Sequence, residues 1–240
     1  MIPLGARHAL LLDFDGSLVD IAPTPDSIHV PADLLLDLQR LHQLLGGAMA
    51  CISGRSLHDL QQYLGSSRML LIGSHGAEFG SIAPACSAWQ TQAAYCEAAL
   101  RHWPLSRVER KPLGLALHWR LAPQAEPAIR ALAQRILQTF PSHRALQGKA
   151  VLELVPARAD KGQAVQRVMQ SPPFAGKTPI YIGDDCTDLP ALQAAQALGG
   201  YGFSVGKQLA EQAQACFDSP QHVRHWLHQQ VQALSPTALQ

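Results

Sequence analysis

Short, almost wholly apolar runs alternate along this chain with stretches of helical periodicity. Few architectures other than a parallel sheet clothed in helices accept that order. The first run, His8-Ala-Leu-Leu-Leu-Asp-Phe-Asp15, is nearly continuous in apolar residues until it meets two carboxylates. Further runs follow at 48–52, 69–72, 179–183 and 201–205. Continuous rather than alternating hydrophobicity is what a strand buried on both faces requires. Between the runs, Pro31 to Leu45 reads as a helix. Leu34, Leu35, Leu38, Leu41 and Leu45 form one stripe, Pro31 suits the first helical position, and Gly46-Gly47 stops it. Helices are also expected over Ser56–Leu64, Lys161–Met169 and Leu189–Ala197, with an amphipathic one near the C-terminus.

The middle of the chain changes character. Residues 114–120 and 150–155 are strand-like, with a helical pattern from about Gln124 to Thr139 between them. The reading is an α/β core, residues 1–79 and 157–240, interrupted by a smaller α/β insertion over 80–156. Hinges belong near Gly80 and near Ala157 to Asp160, and the tail after Ser235 is expected to be loose.

Composition narrows the function classes. Of 240 residues 47% are hydrophobic, ordinary for a folded chain. Lys plus Arg total 19 against 18 for Asp plus Glu, a formal charge of +1, which gives no footprint for nucleic acid or an anionic membrane surface. No apolar run reaches the ~18 residues of a membrane span. The five cysteines lack CxxC spacing and read as reduced thiols of a cytoplasmic protein, neither a disulfide framework nor a zinc site.

Chemistry gathers at the expected strand ends: Asp13 and Asp15 after the first, Ser53 after the second, and Asp184, Asp185 and Asp188 after the run at 179–183. Open parallel sheets bind ligands outside the carboxyl ends of their strands, so these distant residues are candidates for one site. Clustered carboxylates repel one another, and a hard divalent cation resolves the conflict; an all-oxygen donor set suits Mg²⁺. Lys161, opening a helix after a loop, adds a cation. Carboxylates, a lysine and a hydroxyl together are what binding a phosphate dianion beside a nucleophilic carboxylate demands.

The ordered set Asp13-Phe-Asp-Gly-Ser17, Ser53, Lys161 and Gly183-Asp-Asp-Cys-Thr-Asp188 resembles the four motifs of the haloacid dehalogenase superfamily. Within it the chain is similar to the trehalose-6-phosphate phosphatase family. Ile52-Ser-Gly-Arg-Ser56, Gly73-Ser-His-Gly-Ala-Glu78, Val108-Glu-Arg-Lys111, Leu115-Ala-Leu-His-Trp-Arg120, Leu152-Glu-Leu-Val-Pro156 and Asp160-Lys-Gly162 carry that closer likeness. The resemblance implies a Rossmann-like core with an inserted cap that reads the substrate, a small sugar phosphate. It implies Asp13 as nucleophile and metal ligand, and Asp15 as general acid and base with its backbone carbonyl on the metal. Asp184 completes the Mg²⁺ set. Asp185 and Asp188 would hold metal-bound water or orient Lys161, while Ser53, the Gly54 backbone and Lys161 receive the phosphate. Arg55 and His75, with Glu109, Lys111 and Glu153 in the cap, would contact substrate. Without the resemblance, Glu109 and Lys111 read as a solvated charge run with Arg107 and Arg110. Oligomeric state is not legible.

Three positions depart from the family pattern: Ser17 stands where Thr is usual, Val155 where a basic residue is common, and Leu189 where an acid is common. Another sugar phosphate, or a catalytically silent domain of the same fold, are the alternative readings. Gly202-Phe-Ser-Val-Gly206 matches a serine-hydrolase elbow, but Asp218 and His222 follow too closely to complete it. His222, His225 and His228 read as a solvated helix face rather than a zinc site.

Overall fold

A computed structural model describes residues 2–84 and 86–235; the tail at 236–240 lies outside the described residues. The chain divides into two compact units, residues 1–80 with 160–240, and residues 81–159.

In the first unit, β1 (His8–Leu12) is buried along its whole length. It is followed by α1 (Ala32–Leu44), β2 (Met49–Ile52), α2 (Leu57–Leu64), β3 (Leu70–Gly73) and β4 (Glu78–Phe79). Pro31 takes the N-cap of α1 in an extended conformation (φ −61°, ψ 138°), one place before the expected first helical position. Its fixed φ is compatible with either position, and the extended ψ decides between them. Gly46 and Gly47, both at positive φ (64° and 85°), turn the chain out of the helix.

The second unit holds α3 (Ser87–Ala99), β5 (Arg107–Lys111), β6 (Gly114–His118), α4 (Glu126–Thr139), β7 (His143–Gly148) and β8 (Val151–Pro156). The first unit then resumes with α5 (Lys161–Met169), β9 (Thr178–Gly183), α6 (Leu189–Ala197), β10 (Tyr201–Val205), β11 (Ala215–Phe217) and α7 (Pro220–Leu234).

The larger sheet runs β11-β10-β9-β1-β2-β3-β4, parallel except for the β3–β4 pair. Side-chain alternation splits β1 between two cores. Leu10 and Leu12 join the stripes of α1, α2 and α7, through residues such as Leu38, Leu60 and Leu227. Ala9 and Leu11 pack with α5 and α6, through Val165, Val168 and Leu192. Sheet order decides the site: β1 lies between β2 and β9, so Leu12 is in register with both Cys51 and Ile182. The strand ends followed by Asp13, Ser53 and Asp184 are therefore neighbours at one rim.

The smaller sheet is antiparallel, ordered β5-β6-β8-β7. Leu115, Leu117, Leu152 and Leu154 cover its inner face and pack on Trp89, Ala93 and Cys96 of α3 and Ile129, Ala133 and Ile136 of α4. Its other face carries Glu109, Lys111, His118 and Glu153, brought into line because Ala116 pairs with both Glu109 and Glu153. Among the described residues no helix is long and apolar enough to cross a membrane, and all five cysteines are free thiols.

Candidate active site

Asp13 leaves the end of β1 into a buried position, 4% exposed. Lys161, the first residue of α5, reaches it from the other side of the rim. Its Nζ donates to Asp13 Oδ1 at 2.8 Å and to Asp188 Oδ1 at 2.6 Å. Asp160 starts that helix by accepting the Gln163 backbone N–H at 2.8 Å, which sets where Lys161 points. Ser17 donates to the second Asp13 oxygen at 3.2 Å.

Asp188 is saturated. Its Oδ1 takes Lys161 and the Tyr181 hydroxyl, the latter at 2.6 Å, and its Oδ2 takes the backbone N–H groups of Asp184 (3.0 Å) and Asp185 (3.2 Å). Asp185 in turn accepts the Thr187 N–H and hydroxyl at 2.8 and 2.7 Å, closing the turn that presents Asp184. Gly16, at φ +82°, lets Asp184 come against the Asp13 loop, because a β-carbon there would collide with the Asp184 carboxylate.

Carboxylate oxygens of Asp13, Asp184 and Asp188 all lie within 4.8 Å of one another. Burial, then the Asp188 charge, pushes Asp13 well above the usual aspartate range; Lys161 opposes this and Asp184 adds to it. Burial works against the Lys161 charge too, but Asp13 and Asp188 outweigh it and hold the ammonium well above its ordinary value. Three buried acids against one lysine make a donor set of hard oxygens with excess negative charge, which fits a divalent cation. Asp13, Asp184 and Asp188 each offer a carboxylate oxygen to such an ion, Asp188 already accepting four hydrogen bonds.

Asp15 makes no part of that side-chain cluster. Its carboxylate is gripped by Arg55, Nε to Oδ2 and Nη2 to Oδ1, both at 2.7 Å. The guanidinium also lies over the rings of Phe14 and Tyr63, 5.5 and 5.3 Å from their centroids. Ser53 is 1% exposed; its Oγ accepts the Arg55 N–H at 3.2 Å, across the turn containing Gly54. Its carbonyl accepts the N–H of His75 at 2.9 Å. Ser74 and His75 both sit at positive φ (48° and 55°), and the buried Glu78 pins their loop. Glu78 Oε2 takes the Ser74 hydroxyl at 2.7 Å and the Leu57 N–H at 3.0 Å, the latter at the start of α2.

In the second unit Lys111 Nζ donates to Glu153 Oε2 and lies 3.9 Å from Glu109 Oε1, while His118 Nε2 meets Glu109 Oε2 at 2.8 Å. Burial opposes ionisation of Glu109, yet Lys111 and the His118 hydrogen bond together hold it below the usual glutamate range. Lys111 is only 8% exposed, so this is a built polar cluster rather than a solvated charge run. Val155 is buried on β8 opposite Arg144 of β7, and Leu189, the first residue of α6, packs against the core.

Tyr181 and Glu78 join the site from outside the candidate residues named above. Glu78 stands in the stretch Gly73–Glu78, but Tyr181 lies inside an apolar run and carries no signal beyond its hydroxyl. Ser204 is fully buried in β10 while Asp218 and His222 pair on the surface, so no serine triad forms. His222, His225 and His228 each meet a different partner, Asp218, Gln229 and Asp37.

A parallel α/β core interrupted by an inserted α/β unit thus carries acids at its strand ends and a lysine at the start of α5. The same architecture occurs in a haloacid dehalogenase-like hydrolase from Bacteroides thetaiotaomicron, TM-score 0.62 with 14% identity over 93% of this chain and 99% of that one. The trehalose-phosphatase family model matches residues 11–198, and the chain belongs to that family. It is 38% identical to the trehalose-6-phosphate phosphatase of Escherichia coli over 211 residues, 85% of this chain and 79% of the relative. To a probable trehalose-phosphate phosphatase of Sinorhizobium fredii it is 38% identical over 205 residues, 82% of this chain and 77% of the relative.

Proposed function

We propose that this chain hydrolyses trehalose 6-phosphate to trehalose and phosphate, in the cytoplasm, through a phosphoaspartate on Asp13 and with Mg²⁺ as cofactor. The observation that carries the reading is Lys161, buried and shared between Asp13 and Asp188 at 2.8 and 2.6 Å. It leaves a carboxylate nucleophile beside a fixed positive charge, where a phosphate dianion gains most.

An Asp13 oxygen attacks phosphorus as the bond from phosphorus to the sugar oxygen breaks, and Asp15 protonates that oxygen as it leaves. Asp15 then takes a proton from water, which attacks the phosphoaspartate and returns Asp13 as a carboxylate. Lys161, the Ser53 hydroxyl and the Gly54 backbone receive the phosphoryl oxygens. Positioning and charge supply most of the acceleration, since the transition state is loose. Mg²⁺, held by the Asp13 and Asp184 side chains and the Asp15 backbone carbonyl, would neutralise the excess negative charge of the site. Asp185 and Asp188 keep the surrounding turn and Lys161 in place. Residues 80–156 act as the specificity cap, where Glu109, Lys111 and Glu153 accept and donate hydrogen bonds to sugar hydroxyls. Arg55 and His75 add contacts from the core loops.

The test is phosphate release from a panel of sugar phosphates, with Mg²⁺ and with a chelator. Magnesium-dependent release strongest for trehalose 6-phosphate is the expected result. Equal release from many sugar phosphates would overturn the substrate assignment, and no release at all would overturn the enzyme reading.

A further inference from the structure

One of the four hydrogen bonds on Asp188 comes from a residue that no step above uses. Tyr181 is fully buried in β9, between Leu11 of β1 and Gly202 of β10. Its hydroxyl donates to Asp188 Oδ1 at 2.6 Å, the oxygen that also takes Lys161 Nζ at 2.6 Å. A carboxylate oxygen offers two lone-pair directions. With the phenol in one, the other is what remains for Lys161. Burial, and next the Asp188 charge, push the phenol well above its ordinary value, so it stays a donor. The backbone bonds on Oδ2 stop the carboxylate from rotating to trade its oxygens.

We propose that Tyr181 is a positioning residue: its hydroxyl fixes which lone pair of Asp188 meets Lys161, and thereby sets the ammonium 2.8 Å from Asp13 Oδ1. The inference rests on the reading of Asp13 as nucleophile. Without the hydroxyl, Asp188 Oδ1 has a second direction open in its buried setting, and Lys161 can shift toward it and away from Asp13.

Tyr181→Phe keeps the ring and removes only the hydroxyl. Tyr181→Phe, Asp188→Asn and the double variant are assayed with trehalose 6-phosphate and with p-nitrophenyl phosphate, alongside melting temperature. Tyr181→Phe lowers kcat about tenfold with KM within about twofold of wild type, the pattern of an interaction realised in the transition state. In the Asp188→Asn background the same change adds nothing. Wild-type kcat in Tyr181→Phe, or the same loss in both backgrounds, overturns the proposal, since packing alone acts independently of Asp188. A second arm needs no turnover and no metal: the ¹³Cζ resonance of Tyr181, assigned by its loss in Tyr181→Phe, moves in Asp188→Asn. An unmoved resonance overturns the hydrogen bond itself. Activity on p-nitrophenyl phosphate alone would refute the sugar assignment while leaving this test intact.

Discussion

Arg55 meets Asp15 fork to fork, two parallel hydrogen bonds of 2.7 Å, with its guanidinium stacked over Phe14 and Tyr63. Both residues follow strand ends, so the pair ties the loop after β1 to the loop after β2. The geometry fixes the plane of the carboxylate proposed to move the proton, and it uses properties that lysine lacks. Arg55→Lys keeps the charge but loses the fork, and it should lower kcat by about tenfold or more with the fold intact. Steady-state kinetics with circular dichroism checks this. Unchanged kcat in Arg55→Lys would mean that charge alone is required there.

Asp13 gives the sharpest separation of activity from stability. An acid whose folded pKa lies above its unfolded value of about 3.9 is disfavoured in its ionised form by the fold. Its contribution to stability is therefore complete below that unfolded value and is lost as pH rises towards the folded one. Burial and the Asp188 and Asp184 charges set that direction here. In metal-free buffer Asp13→Asn should melt higher than wild type at about pH 8, with the gap closing towards about pH 4. Turnover should be abolished at every pH. Calorimetry across that range decides; a variant that melts lower at high pH contradicts the repulsion, and retained turnover refutes the nucleophile.

The same excess charge predicts a stabilising cation. Mg²⁺ at about a hundred times its dissociation constant should add about 2.7 kcal/mol to unfolding. A chelator should remove the gain. Asp184→Asn should lose most of it, because the bond from the Asp184 backbone to Asp188 survives while a carboxylate proposed to hold the ion does not. Thermal melts with and without Mg²⁺ measure this, and a full shift retained in Asp184→Asn would exclude that residue from the site.

The core was legible because its strands must be apolar on both faces. His8–Leu12 and Thr178–Gly183 could be little else, and their ends named Asp13 and Asp184. β7, His143–Gly148, was not legible, since it is an edge strand half-exposed on a small sheet and carries only two apolar side chains. Helix α3 hid for a related reason: it buries only Trp89, Ala93 and Cys96, too thin a stripe to stand out among alanines and glutamines. The orienting of Lys161 by Asp188 was legible only through the family resemblance, while the Asp188 link to Tyr181 depends on rotamers that a single sequence does not carry.

Gly16 should tolerate no side chain. Alanine there would hold a positive φ that costs about 1–2 kcal/mol and would drive its β-carbon into the Asp184 carboxylate. Gly16→Ala should therefore lower both melting temperature and the Mg²⁺-induced shift. A variant with a wild-type shift would show that the loop has another way to accommodate Asp184.

Glu153 tests the proposed cap role of the insertion without touching the chemistry. It is mostly buried, bonded to Lys111 and in line with Glu109 across Ala116. Glu153→Gln preserves shape and hydrogen-bonding capacity but removes a charge, leaving Lys111 with Glu109 as its acidic neighbour. If this cluster recognises sugar hydroxyls, KM for trehalose 6-phosphate should rise about tenfold, while kcat/KM for p-nitrophenyl phosphate, which has no sugar, should stay within about twofold. Equal losses on both substrates would instead make the cluster a structural element of the insertion, and the specificity assignment would fall with it.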